Sequence, residues 1–179
     1  MNVKLKGMVQ VYTGEGKGKT TAALGQGMRA VGRGLRVKMI QYLKSTDTGE
    51  LHAVKLLSPH FEILRLEKVS GFVWNMSKAE KKQLQEEILA NWIHIKQWTI
   101  NPDFEVLILD EILTVVENGL LELEKLQDLL KYKAENLEII ITGRVLPPQL
   151  LDIVDLVTEM KEIKHYFHQG VAARIGIEY

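Results

Sequence analysis

Eight consecutive residues near the start of the chain, Thr13-Gly14-Glu15-Gly16-Lys17-Gly18-Lys19-Thr20, have the types and order needed to grip a polyphosphate. Glycines let the backbone curl until several N–H groups point into one concavity, and a helix starting directly afterwards adds partial positive charge. In such a cradle Lys19 neutralises phosphate oxygens, and the Thr20 hydroxyl is placed to ligate a magnesium ion. The strict Walker A pattern has Gly or Ala where Thr13 stands, so a glycine turn that happens to contain Gly-Lys-Thr is the competing reading. Lys17 places a second ammonium in the cradle, which suits a highly charged anion. Glu15 is a carboxylate in an anion site and is expected to face solvent or a group other than phosphate. Both residues also fit a solvated loop tip.

A second constellation follows later. Leu107-Ile108-Leu109-Asp110-Glu111 is an apolar run ending in two carboxylates. One such carboxylate can hold magnesium or its water, and the next can act as a base or second ligand. Acidic residues also favour helix N-termini, which is the bland alternative. His165 and His168 are spaced like metal ligands but have no evident third partner, so His165 is expected to shape the substrate site or to pack locally. His94 falls inside a long helix and reads as structural. Arg144 follows an apolar strand and either faces the site or closes a loop salt bridge.

These residues need a scaffold that brings loop ends together. Met8 to Tyr12 is a short apolar strand, and a helix follows the loop from Lys19 to about Val31 with Leu24, Met28 and Val31 on one face. Leu35 to Gln41 and Phe61 to Leu66 read as further strands around a short helix at Leu51 to Leu57. Ser77 with Glu80 forms a capping box. It opens a helix to about Thr99, in which Leu84, Ile88, Trp92 and Ile95 recur at helical spacing. Val106 to Leu109 and Leu137 to Ile141 are apolar enough to be strands buried on both faces, as parallel sheets require. Leu123 to Tyr132 is the helix between them. A helix near Gln149 to Val154 then leads to a last strand, Leu156 to Met160. The alternation predicts a single α/β domain over residues 1–179, with a doubly wound, mostly parallel sheet of about six strands of the P-loop NTPase, RecA-like type. Ligands are expected at the carboxyl ends of the strands.

Composition narrows the functional classes. The 179 residues are 46% hydrophobic and 26% charged, ordinary globular values that argue against disorder. Lys+Arg and Asp+Glu are both 23, so no global field favours nucleic acid or an anionic membrane. Cysteine is absent, which removes disulfides, thiolate metal sites and cysteine nucleophiles. With no apolar signal core and no run of transmembrane length, the expected location is the cytoplasm.

Over nearly its whole length the chain resembles the P-loop type of ATP:corrinoid adenosyltransferase. The resemblance is carried by Tyr12 to Ala23, Arg29-Ala30-Val31-Gly32, Gly71-Phe72-Val73-Trp74, Leu109-Asp110-Glu111 and Thr142-Gly143-Arg144. It closes with Lys164-His165, Gly170, Ala172 and Gly176-Ile177-Glu178-Tyr179. The phosphate loop is common to many NTPases, whereas Gly-Phe-x-Trp together with the Gly-Ile-Glu-Tyr ending is specific. The resemblance implies ATP and a corrinoid as substrates: cobalt(I) attacks the 5′-carbon and the whole triphosphate leaves.

It further implies nucleotide contacts from Gly14 to Thr21 and from Arg29, and magnesium held by Thr20, Asp110 and Glu111. Lys19 would stabilise leaving-group charge. Phe72 and Trp74 would bind the corrinoid with His165 and displace the lower ligand of cobalt(II), easing its reduction by a flavodoxin or reduced flavin. Relatives commonly form homodimers. Two departures stand out: Glu15 replaces the Asn or Asp common in relatives, and few residues precede the first strand. The corrinoid is therefore expected to be either more exposed or covered by another segment or a partner subunit. A conventional γ-phosphate-cleaving ATPase or phosphotransferase and a nucleotide-gated corrinoid carrier are the competing functions.

Overall fold

A computed structural model of the chain describes residues 6–68 and 73–179; the expectations for Phe72 lie outside these described residues. The apolar runs become strands of one sheet, β1 (Val9–Thr13), β2 (Val37–Gln41), β3 (Phe61–Leu64), β4 (Val106–Asp110), β5 (Glu138–Thr142) and β6 (Leu156–Glu159). Their order across the sheet is β3-β2-β4-β5-β1-β6, and all neighbours run parallel. Parallel neighbours need crossover connections, and these are supplied by α1 (Lys19–Val31), α2 (Gly49–Lys55), α3 (Lys78–Ile100), α4 (Ile112–Glu117) and α5 (Leu123–Lys131).

Both faces of the central strands are covered, while the edge strand β6 is exposed at every position, and the two-residue period of β4 shows how the covering is made. Leu107 and Leu109 join a core with Leu84, Ile88, Trp92 and Ile95 of α3, while Val106 and Ile108 join a second core with Ala23 and Ala30 of α1. β4 and β5 are buried at every position, as their apolar runs predict for Val106 to Leu109 and Ile139 to Ile141, and the burial extends to the polar ends Asp110, Glu138 and Thr142. The capping box at the start of α3 is formed, with Ser77 N donating to Glu80 Oε2 at 2.7 Å and Glu80 N donating to Ser77 Oγ at 3.3 Å. The helix itself is anchored by its stripe. Ile95 is fully buried, and truncating it to alanine should cost about 2–5 kcal/mol through lost transfer energy and the cavity left behind.

Three details differ from the sequence expectation. The buried face of α1 is Ala23, Gly27 and Ala30, and Met28 is exposed. The reason is distance: a β-carbon on Gly27 would lie 2.6 Å from the Phe61 ring. The helix therefore sits close to the sheet at Gly27, where small residues make the fully buried contact, while Leu24 and Val31 are half-buried against the same core. A further helix, α4, starts directly after Asp110-Glu111, so the acidic pair is both a strand end and a helix start. The segment after Pro147 makes only one 3₁₀ turn, Pro148–Leu150, where a longer helix was expected.

The strand order separates the phosphate-loop strand β1 from the acidic strand β4 by one strand, β5. Registers Tyr12↔Thr142, Leu109↔Ile141 and Gln41↔Asp110 bring the carboxyl ends of β1, β5, β4 and β2 to a common edge. That edge carries the polar residues.

Candidate active site

The loop after β1 folds as a cradle. Gly14 and Gly18 have φ of 105° and 117°, in the left-handed region where a side chain is costly. A β-carbon at Gly14 or Gly16 would also strike the Met160 carbonyl oxygen, at 2.5 and 2.6 Å. The end of β6 thus lies against the loop, and Gly16 N donates to that same carbonyl at 2.7 Å. Lys19 Nζ folds back to donate to the carbonyls of Gly14 at 2.6 Å and Gly16 at 2.9 Å. Burial is the main cause that lowers its pKa, and Glu111 opposes that shift.

Asp110 is the buried centre of the site. Its Oδ1 accepts from Thr20 Oγ1 at 2.9 Å and from Thr142 Oγ1 at 2.8 Å. The same Thr142 oxygen accepts from Glu111 N at 2.8 Å, so one hydroxyl at the end of β5 fixes both acidic residues. Asp110 Oδ2 is buried and has no hydrogen bond; the Lys44 ammonium stands 3.5 Å from it. A buried carboxylate oxygen without a donor, beside a threonine hydroxyl, is the donor chemistry that a hard divalent cation selects. Thr20, Asp110 and Glu111 therefore fit magnesium. Glu111 adopts φ 65°, and its Oε2 accepts from Thr114 Oγ1 at 2.6 Å, which aims the carboxylate from the first turn of α4.

Thr142-Gly143-Arg144 gains a physical role for each residue. Gly143, at φ 154°, passes α4 so closely that a β-carbon would lie 2.5 Å from Leu113 Cβ. The Arg144 carbonyl accepts from Gly14 N at 3.0 Å and from Thr13 Oγ1 at 2.9 Å, tying β5 to the phosphate loop. Its guanidinium lies 3.4 Å from Glu15, and both side chains are exposed.

Two cavities meet at this edge, each of about 360 Å³. The first runs from the loop residues Lys17 to Thr21 across to Gly176–Tyr179 at the other end of the chain. The second is lined by Leu43, Val73, Trp74, Thr114 and Arg144. Lys44 and Glu111 line both, forming their shared wall. Trp74 is 68% exposed, so it is a presented ring and not a core residue.

The remaining candidates lie elsewhere in this chain. Arg29 sits about 15 Å along α1 from Lys19 at the helical rise; it donates to Gln26 at 3.2 Å and lines neither cavity. His165 Nδ1 accepts from Phe167 N at 3.0 Å, capping a 3₁₀ turn. His168 pairs with Glu162 at 2.7 Å, and His94 is exposed on α3. Among the described residues no group of three His, Cys, Asp or Glu side chains forms a metal cluster. Sequence reasoning gave Thr142 no role and passed over Lys44. The Thr142 signal was present, because a polar residue ends an apolar strand just as Asp110 does. Lys44 had none, since its place depends on the chain bending at Leu43.

Comparison with known proteins gives the family. The family model described as ATP:corrinoid adenosyltransferase BtuR/CobO/CobP matches residues 5–179. The chain is 36% identical over 178 residues to the corrinoid adenosyltransferase CobA of Salmonella typhimurium, covering 97% of this chain and 86% of that protein. It is 31% identical over 175 residues to the corrinoid adenosyltransferase of Pseudomonas aeruginosa, covering 97% and 84%. Among solved structures, the flagellar accessory protein FlaH of Methanocaldococcus jannaschii superposes with a TM-score of 0.58 at 16% identity, over 87% of this chain and 71% of that one, a likeness of fold alone. The family model spanning residues 5–179 and relatives at 36% and 31% identity over most of both chains place the chain in the ATP:corrinoid adenosyltransferase family.

Proposed function

We propose that this enzyme carries out the family reaction across the wall shared by the two cavities, moving the 5′-deoxyadenosyl group of ATP onto cobalt(I) of a corrinoid. The observation that carries the reading is the contact of a polyphosphate cradle with a cavity bearing an exposed tryptophan, Lys44 and Glu111 lining both. A simple ATPase needs no such second cavity, a phosphotransferase would seat its acceptor there, and the reaction products separate the readings.

The chemistry balances without a protein nucleophile. A cobalt(I) electron pair forms the bond to the 5′-carbon, the C–O bond breaks, and its electron pair leaves on triphosphate. The protein has to position the carbon and stabilise the departing charge. Backbone N–H groups of Gly14 to Thr20, with Lys17 and Lys19, hold the triphosphate, and Thr21 flanks it. Lys19 is already half enclosed and exchanges its two carbonyl acceptors for phosphate oxygens. Thr20, Asp110 and Glu111 would hold magnesium, which supplies positive charge to the polyphosphate. Trp74, with Phe72, binds the corrinoid and excludes a lower axial donor from cobalt(II), which raises its potential. Arg144 reaches the corrinoid cavity while fixing the loop through its carbonyl. Arg29 and His165, which line neither cavity in the single chain, are outside this set.

The same reading takes electrons from a flavodoxin or reduced flavin, works as a homodimer in the cytoplasm, and uses neither nucleic acid nor membrane. No helix among the described residues is long and apolar enough to cross a membrane. The test is product analysis with Mg-ATP and chemically reduced corrinoid. A light-sensitive cobalt–carbon product with inorganic triphosphate supports the reading. ADP would indicate a phosphotransferase, and tight binding without turnover a carrier.

A further inference from the structure

Only two residues other than glycine have positive φ among the described residues, Leu43 at 57° and Glu111 at 65°. Both stand just past the ends of adjacent strands, where β2 and β4 are aligned through Gln41↔Asp110 and Tyr42 N donates to the Asp110 carbonyl at 3.1 Å. Backbone conformations that cost energy survive where the surrounding structure enforces them, and they cluster at working sites. The bend at Glu111 starts α4. The bend at Leu43, which packs its side chain against the core, swings the next residue towards the acidic strand. The result is the Lys44 ammonium 3.5 Å from Asp110 Oδ2, the oxygen that no hydrogen bond satisfies.

A fully buried carboxylate with a free lone pair is unfavourable without a nearby cation. Lys44 supplies one, but at ion-pair distance and without hydrogen-bond geometry. That is a loose hold compared with direct ligation by a divalent ion. Its side chain is 26% exposed and lines both cavities, so the ammonium can turn away from Asp110 without leaving the site.

The geometry points to Lys44 as the resident counter-cation of Asp110: the divalent ion competes with it for Oδ2, and the displaced ammonium then stands in the wall between the cavities, where leaving-group charge develops. Lys44 is thereby a positioning residue for the metal carboxylate before nucleotide binds and a source of positive charge afterwards. The first half concerns metal alone; the second rests on the transferase reading above.

Lys44→Met removes the charge and keeps the stem, and Lys44→Arg keeps a charge. The first readout is Mn²⁺ binding to the full chain without nucleotide or corrinoid, followed by the loss of the free-ion EPR signal at mildly alkaline pH. Removing a competing cation should tighten Mn²⁺ binding of Lys44→Met by roughly tenfold, the scale of a close charge pair, with Lys44→Arg near wild type. The second readout is turnover at saturating Mg-ATP and preformed cob(I), where Lys44→Met should lose about tenfold or more in kcat with KM for ATP changed less. Unchanged or weaker Mn²⁺ binding in Lys44→Met overturns the resident-cation role, because a residue that merely props up Asp110 would weaken the metal when lost. An unchanged kcat overturns the second role. If Lys44→Met fails to fold, Lys44→Gln is read by the same two criteria. The Mn²⁺ measurement contains neither substrate, so a protein that makes no adenosylcorrinoid yet binds Mn²⁺ as expected refutes the transferase reading and leaves the resident cation standing.

Discussion

Thr142→Val deletes a single oxygen from the end of β5 and replaces it with a methyl group of similar size. That oxygen donates to the buried Asp110 Oδ1 at 2.8 Å and accepts from Glu111 N at 2.8 Å. A hydrogen bond to a charged group contributes about 1.5–3 kcal/mol, and an amide left unpaired costs about 1–3 kcal/mol. The two effects share one atom and do not add fully, so we expect a loss of about 3 kcal/mol in unfolding free energy. Asp110 would keep one hydroxyl partner, Thr20, and lose the contact that fixes its orientation. Partners of this kind typically change metal affinity by about 10–100-fold. The assays are equilibrium unfolding in urea and turnover against magnesium concentration, each with Thr142→Ser as the control that restores the hydroxyl. Wild-type values from Thr142→Val in both assays would refute the assignment of this hydroxyl as the organiser of the acidic pair.

Other perturbations test separate parts of the account. Burial raises the Glu67 carboxyl from 4.5 to about 7, so its contribution to stability is full below the unfolded pKa and is lost as pH rises through the folded one. A gap of that size corresponds to about 3 kcal/mol across the window, and Glu67→Gln should flatten a pH series of urea midpoints there; an unchanged slope would contradict the burial argument. Gly27→Ala gains helix propensity of about 1 kcal/mol but places a methyl against the Phe61 ring, and the overpacking cost of about 1–3 kcal/mol should win. A raised melting temperature would show that α1 has room to move. Trp74→Ala should lower turnover from cob(II) with a reductant at least about tenfold, some 1.4 kcal/mol, with much less effect on preformed cob(I). Equal losses in the two assays would remove the ring's role in reduction.

How much of this was legible in sequence varies by element, for physical reasons. Strands β4 and β5 announce themselves, because a strand buried on both faces carries an unbroken apolar run, here Val106 to Leu109 and Ile139 to Ile141, with polar residues only at its ends. The α3 stripe is equally plain, since large residues recur at helical spacing on the face that is buried. The face of α1 was read in part: Leu24 and Val31 do pack half-buried against the core, but Met28 is exposed, and the fully buried positions are the small Ala23, Gly27 and Ala30, which hydrophobicity alone does not single out. At the site, Lys19, Thr20 and Asp110 are local features of a loop and a strand end. Their relation is not local. It depends on the placing of β5 between β1 and β4, which puts Thr142 beside Asp110. Lys44 depends on a left-handed residue at position 43, and leucine gives no hint of that conformation.

The claim on which the account rests is that the ribose of bound ATP, and not its terminal phosphate, faces the cavity bearing Trp74. It can be measured directly in the ternary complex with cob(II)alamin, by pulsed EPR of the cobalt electron with ATP labelled with ¹³C at the 5′ position. The account predicts a hyperfine coupling to that carbon that exceeds any coupling to phosphorus. Stronger coupling to the γ-phosphorus, with the labelled carbon silent, would contradict it.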